Sequence, residues 1–141
     1  MGRILAIDYG TKRIGLAVTD PACIIATGLD TVYVQDIFKY LKDYTDKEEV
    51  ILFVVGHPKT MKNEDSESYK YIKVFVKTLK KKFPEVPIEM YDERFTSVLA
   101  HKALLEGGAK KKTRQNKALI DTMSATIILT SYLENKRFLN L

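Results

Sequence analysis

Four carboxylates in this chain border apolar sequence. Asp8 closes the run "RILAID", Asp92 and Glu93 follow "PIEMY", and Asp121 interrupts "KALIDTMSATIIL". A carboxylate placed against buried apolar sequence is costly unless a partner offsets its charge. On a strand, Asp8 shares a face with Ile4 and Ala6, at the point where the chain leaves the sheet. On a helix, Asp121 falls beside Ser124, Ala125, Ile128 and Tyr132, away from the polar stripe Thr122, Thr126, Thr130 and Glu134. The small Ser124 and Ala125 would let that helix approach a sheet closely enough for Asp121 to meet Asp8. Each position also has an ordinary explanation. Asp8 would suit a turn, and Asp92, Glu93 and Arg94 would suit an ion-pair and capping cluster ahead of Thr96. Asp121 would suit a surface pair with Lys117, worth about 0.2–0.5 kcal/mol. If the carboxylates converge instead, their mutual repulsion calls for a hard divalent cation. An all-oxygen set of ligands selects Mg²⁺ or Mn²⁺ over Zn²⁺. One such ion, or two roughly 4 Å apart, would activate water and stabilise the leaving oxygen in phosphodiester cleavage.

The elements that must position these groups alternate in type. "RILAID" and "RIGLAVTD" read as two strands joined at Gly10, and "CIIATGLDTVYV" continues them as a third. "QDIFKYLKDYTDKEE" has helical apolar spacing, and "VILFVVG" suits a fully buried central strand. "ESYKYIKVFVKTLKKKF" is helical, "PIEMY" is a short strand, and "SVLAHKALLE" is a helix capped by Thr96 and ended by Gly107-Gly108. A last helix is expected from about Asn116 to about Lys136. The expectation is one α/β domain over residues 1–141, with a mixed five-stranded sheet flanked by helices. Its sheet combines a three-strand antiparallel meander with two parallel strands.

Composition narrows the function classes. The 141 residues, 45% hydrophobic and 29% charged, suit a globular domain that buries its own core. The single Cys23 excludes an internal disulfide framework and a cysteine-based zinc site. No apolar run approaches a membrane span, and "MGRILAID" enters a strand too early for a signal peptide, so a cytoplasmic location is expected. The net charge of +5 favours an anionic partner. Lys110, Lys111, Lys112, Arg114 and Lys117 form a basic segment free of acids, which would hold a nucleic-acid backbone. A second cluster, Lys77 and Lys80 to Lys82, reads equally as a solvated helix end.

Four blocks, "IDYGTKRIGLAVTD", "VVGHP", "DERFTS" and "KALIDTMSATIIL", occur in order over nearly the whole chain. They resemble the signature blocks of the YqgF family, also called RuvX, of RuvC-like resolvases. The resemblance implies a ribonuclease H-like fold and a bacterial cytoplasmic nuclease that processes the 5′ end of the 16S rRNA precursor. An older assignment for the family is Holliday junction resolvase acting on branched DNA, which normally asks for a homodimer. By the same resemblance Asp8, Glu93 (with Asp92 beside it) and Asp121 are the catalytic metal ligands. Lys12 and Arg13, in the first turn, are placed to touch phosphate or to hydrate a hairpin tip. The chain also departs from the pattern. The segment after the central strand, "GHPKT", lacks the acid that junction resolvases carry there, although Glu64, Asp65 and Glu67 follow. His57 stands where an apolar residue is common, and Ser124 replaces a frequent alanine.

Two other classes compete. "DYGT" also resembles the phosphate-binding turn of the actin and Hsp70-type ATPases, but those close two domains over the nucleotide and this chain has length for one. A non-catalytic nucleic-acid-binding module would need only the basic segment, and metal-dependent cleavage separates it from a nuclease.

Overall fold

In the computed structural model, residues 2–57, 69–93 and 117–139 are described, with side chains in the last segment described for 122–136. Strands β1 (Arg3–Tyr9), β2 (Arg13–Thr19) and β3 (Ala26–Tyr33) form the expected meander. A 3₁₀ turn (Val34–Asp36) leads into α1 (Ile37–Lys47), then come β4 (Val50–His57), α2 (Tyr69–Lys82), β5 (Ile88–Asp92) and α3 (Lys117–Leu139). The sheet order is β3-β2-β1-β4-β5, with β1, β4 and β5 parallel and β2 antiparallel to both β1 and β3. The mixed five-stranded sheet is therefore as the sequence pattern predicts. The helix expected over "SVLAHKALLE", with Thr96 and Gly107-Gly108, lies outside the described residues.

The third strand begins at Ala26, three residues later than expected, because Asp20 ties the preceding segment into a loop. Its carboxylate accepts the amides of Ala22, Ile24 and Ile25 at 3.1, 2.8 and 2.7 Å. Those bonds, the one from Ile25 first, hold the Asp20 carboxyl below its usual range. Within the loop Cys23 takes a left-handed φ of 58°, a conformation that cannot continue a strand.

Alternation along the central strands feeds two cores. Leu5, Ile7, Ile14, Leu16, Phe53 and Val55 meet Ile37 and Leu41 of α1 and Ile72, Phe75 and Leu79 of α2. On the opposite face Ile4, Ala6, Ala17, Val54 and Tyr91 meet Ala125, Ile128, Leu129, Tyr132 and Leu133 of α3. Burying each large apolar side chain stabilises the fold by about 1.5–3 kcal/mol. The half-exposed Arg3–Glu48 pair, at 3.3 Å, adds at most about 1 kcal/mol. Packing on both faces, not ion pairing, therefore fixes the sheet between its helices. Ala125 of α3 meets Ala6 of β1 and Ala17 of β2 in this core, and these small side chains let the helix lie close to both strands.

Candidate functional site

Asp8 projects from the α3 face of β1, at the end of the series Ile4, Ala6, Asp8. Across the antiparallel β1–β2 pair it stands opposite Gly15. On its other side the parallel register pairs Ile7 with Val55, which brings Gly56 alongside Asp8 one residue further on. Ala17 and Val54, two residues back on those strands, pack in the α3-side core, so positions 15 and 56 belong to the same face as Asp8. Half-buried Asp8 is thus flanked by two glycines, neither of which puts a side chain of its own beside the carboxylate.

Glu93 uses that space. It follows β5 on the series Glu89, Tyr91, Glu93, and Tyr91 packs into the α3-side core. A β-carbon added at Gly56 would stand 3.2 Å from Glu93 Oε1 and 2.8 Å from Ile128 Cδ1. The carboxylate therefore lies over the glycine of β4, between the strand that carries Asp8 and its own. Burial raises the Glu93 carboxyl above its ordinary value, and the charge of Asp92 adds to the rise.

Asp92 itself is on the other side of the sheet. Its register partner is His57, whose ring stacks on Tyr69 of α2 at 4.1 Å with the planes 15° apart. The two adjacent acids, which the sequence pattern joins as one acidic group, are divided across the sheet by strand alternation. Glu93 shares a face with Asp8, and Asp92 acts on it as a nearby negative charge.

Position 121 lies in the α3 backbone, one turn ahead of the buried Ala125; the Asp121 side chain lies outside the described residues. The neighbouring residue fixes the helix level. The Thr122 hydroxyl meets the Thr31 hydroxyl at 2.6 Å, and a β-carbon at Gly28 would come within 2.5 Å of Thr122 Cγ2. Thr31 pairs with Gly15, which pairs with Asp8. One row across the sheet therefore runs Thr31, Gly15, Asp8, and α3 is pinned to its outer end one residue beyond position 121. The Thr126 hydroxyl donates to the Thr122 carbonyl at 2.8 Å and stiffens the same turn.

Of the expected basic contacts, Lys12 is exposed at the β1–β2 turn and Arg13 is half-buried where β2 begins. The Val34 amide donates to the Lys12 carbonyl at 3.1 Å, tying that turn to the end of β3. Gly10 is required there, because a β-carbon would collide with the Arg13 carbonyl. Arg94, Lys110, Lys111, Lys112 and Arg114 lie outside the described residues, as do the side chain of Lys117 and the loop carrying Glu64, Asp65 and Glu67. Among the described residues no three His, Cys, Asp or Glu side chains converge. The donors Asp8 and Glu93 share the α3 face beside Gly56, and a largely buried carboxyl with a raised pKa is a group whose charge a hard cation would offset. Both fit Mg²⁺ or Mn²⁺. Two residues that sequence reasoning passed over, Gly15 and Gly56, make that space, and the signal for them was a glycine inside an otherwise apolar strand.

Comparison with known proteins then gives this arrangement a context. Residues 2–135 match the family model RuvX, described as Holliday junction resolvase. A protein of Phocaeicola vulgatus named "Putative pre-16S rRNA nuclease" is 58% identical over 139 residues, covering 99% of this chain and 100% of that one. A relative of the same name from Bacteroides thetaiotaomicron is 57% identical over 138 residues, covering 98% and 100%. Among solved structures, Thermus thermophilus RuvC in complex with a Holliday junction substrate superposes with a TM-score of 0.59 at 17% identity, covering 96% of this chain and 97% of that one. That likeness shows a shared fold, the ribonuclease H-like one. Among the described residues no helix is long and apolar enough to cross a membrane.

Proposed function

Because this chain belongs to the RuvX family, we propose that it is a metal-dependent nucleic-acid phosphodiester hydrolase that processes the 5′ end of precursor 16S rRNA in the cytoplasm, with residues 1–141 acting as one catalytic domain. The observation that carries this reading is Asp8, set between Gly15 and Gly56 with the Glu93 carboxylate over the same glycine. Two carboxylates held on the same face of neighbouring strands repel each other, and a hard cation bound between them would offset that repulsion.

Asp8, Glu93 and Asp121 are the residues that would hold Mg²⁺ or Mn²⁺. When bound, one or two such ions supply an activated water and neutralise charge on the phosphate. The chain's own part is to hold the carboxylates in place. The row through Thr31 and Gly15 sets the level of α3 against Asp8, and Ile128 closes the floor beside Gly56. Lys12 and Arg13, on the turn after Asp8, supply cationic contacts to the backbone of the bound strand, as would Lys110, Lys111, Lys112, Arg114 and Lys117. Asp92 and Arg94 support the site from the flanking segment.

The name shared by relatives more than 50% identical to this chain favours precursor rRNA as substrate. A second reading, cleavage of four-way DNA, is favoured by the family description and by the fold shared with RuvC. Paired cuts in a junction would require a two-fold homodimer. Both substrates offered with Mg²⁺ or Mn²⁺ test the proposal, with Asp8→Asn as control. Cleavage of precursor rRNA that disappears in the variant is expected. Unchanged cleavage in Asp8→Asn would overturn the site, and binding without cleavage of either substrate would leave a binding module.

A further inference from the structure

We propose that the lysine stripe of α2 is a backbone track that leads a single-stranded arm of the nucleic-acid substrate away from the carboxylate end of the sheet; this rests on the nucleic-acid reading above. Helix α2 carries Lys70, Lys73, Lys77, Lys80, Lys81 and Lys82 and no acidic residue. Lys70, Lys73, Lys77 and Lys80 recur at three- and four-residue spacing, so they follow one side of the helix, and all four are exposed. Over these positions the stripe extends roughly 15 Å at 1.5 Å per residue. A face that is merely solvated mixes its signs, as α1 does with Lys39, Lys42 and Lys47 beside Asp43 and Asp46. In α2 the like charges repel one another with nothing on the helix to offset them, a cost that a polyanion would remove.

Placement supplies the second argument. The head of the stripe reaches the same end of the sheet as the candidate site, on the opposite face, because Tyr69 stacks on His57, the residue that follows Gly56. Lys73 Nζ lies 4.9 Å from the Tyr69 ring centre, which orients the first rung. A groove of about 320 Å³ runs along the stripe, lined by Tyr69, Lys73, Lys77, Lys80 and Met90. Met90 belongs to β5, the last strand of the sheet order. The groove thus has an apolar floor, from Met90 at the sheet edge and Ile72 and Val76 of the helix, and a basic rim from Lys73, Lys77 and Lys80. Flexible lysine stems, rising roughly 4.5–6 Å from one to the next, can follow the phosphates of a single strand without reading its bases.

The test compares Asp8→Asn protein with the same protein carrying Lys73→Gln, Lys77→Gln and Lys80→Gln. Binding to an RNA hairpin with and without a single-stranded tail is measured from about 50 to about 200 mM salt. The tailed hairpin is expected to lose at least about tenfold in affinity, with the slope of log K on log salt shallower by about 2, at roughly 0.7 for each single-strand phosphate no longer neutralised. The tailless hairpin is expected to change little, and so is a control with Lys39→Gln, Lys42→Gln and Lys47→Gln on α1. An unchanged salt slope, or an equal loss in the α1 control, would overturn the track. The two proposals fail separately. Cleavage of short substrates by protein carrying only the α2 substitutions, with no change in tail binding, removes the track and keeps the nuclease. Lysine-dependent tail binding without cleavage by the wild type does the reverse.

Discussion

Glu93 lies with its carboxylate over Gly56, so close that a single added carbon at Gly56 would stand 3.2 Å from Oε1 and 2.8 Å from Ile128 Cδ1. The glycine thus gives space both to an acidic side chain and to the helix that covers it.

Gly56→Ala is expected to force one of those two neighbours to move. Overpacking of this kind costs about 1–3 kcal/mol, measurable as a lower urea midpoint with an unchanged m-value. Cleavage should fall further than stability does, because the displaced group includes Glu93. A variant as active and as stable as the wild type would show that the crowding is relieved without disturbing the carboxylate.

Glu93 makes the metal-free fold depend on pH in a known direction. Its carboxyl is raised above 4.5, first by burial and then by the charge of Asp92. A raised folded pKa means that the native state holds the proton more tightly than the unfolded chain does. The ionised group therefore destabilises the fold at pH values above the folded pKa, and that penalty fades as pH falls through the folded pKa and is gone below the unfolded value. In EDTA at neutral pH, Glu93→Gln is expected to melt higher than the wild type, the gap closing toward pH 4. Adding Mg²⁺ or Mn²⁺ should raise the wild-type melting temperature more than that of the variant. A variant that melts lower at neutral pH would contradict the assignment.

Asp8→Asn removes the charge at nearly constant side-chain shape, with glycines on the strands to either side. Folding is expected to be near wild type, while the rate of cleavage falls by about a thousandfold, equivalent to roughly 4 kcal/mol of barrier. Thermal melts alongside single-turnover cleavage of precursor rRNA separate the two effects.

The Thr31–Thr122 hydroxyl pair, at 2.6 Å, sets the level of α3 on the sheet. Thr122→Val leaves a partly buried hydroxyl without its partner and is expected to cost about 0.5–1.5 kcal/mol. A double-mutant cycle with Thr31→Val should recover a coupling of similar size. Cleavage is expected to drop in both single variants, since position 121 adjoins the pinned residue. Additive effects on stability would show that the pair does not hold the helix.

Sequence pattern by itself determined most of the frame. The strand and helix types, the face shared by Ile4, Ala6 and Asp8, and the anomaly of Asp121 all follow from local periodicity. Periodicity is a property of neighbouring residues, so it survives without knowledge of what packs against them. It did not determine where the third strand begins, because a single carboxylate, Asp20, captures the amides of Ile24 and Ile25, which the apolar pattern assigns to that strand. Nor did it separate Asp92 from Glu93. Alternation says that adjacent residues face opposite ways, but only packing against α3 or α2 says which way each one faces. The same limit hid Gly15 and Gly56. Each is an ordinary glycine in its own strand, and each borders the proposed site only because strand register sets it beside Asp8. That register is fixed by side chains buried on both faces of the sheet, contributed by segments far apart in the chain, and so it belongs to the tertiary structure alone.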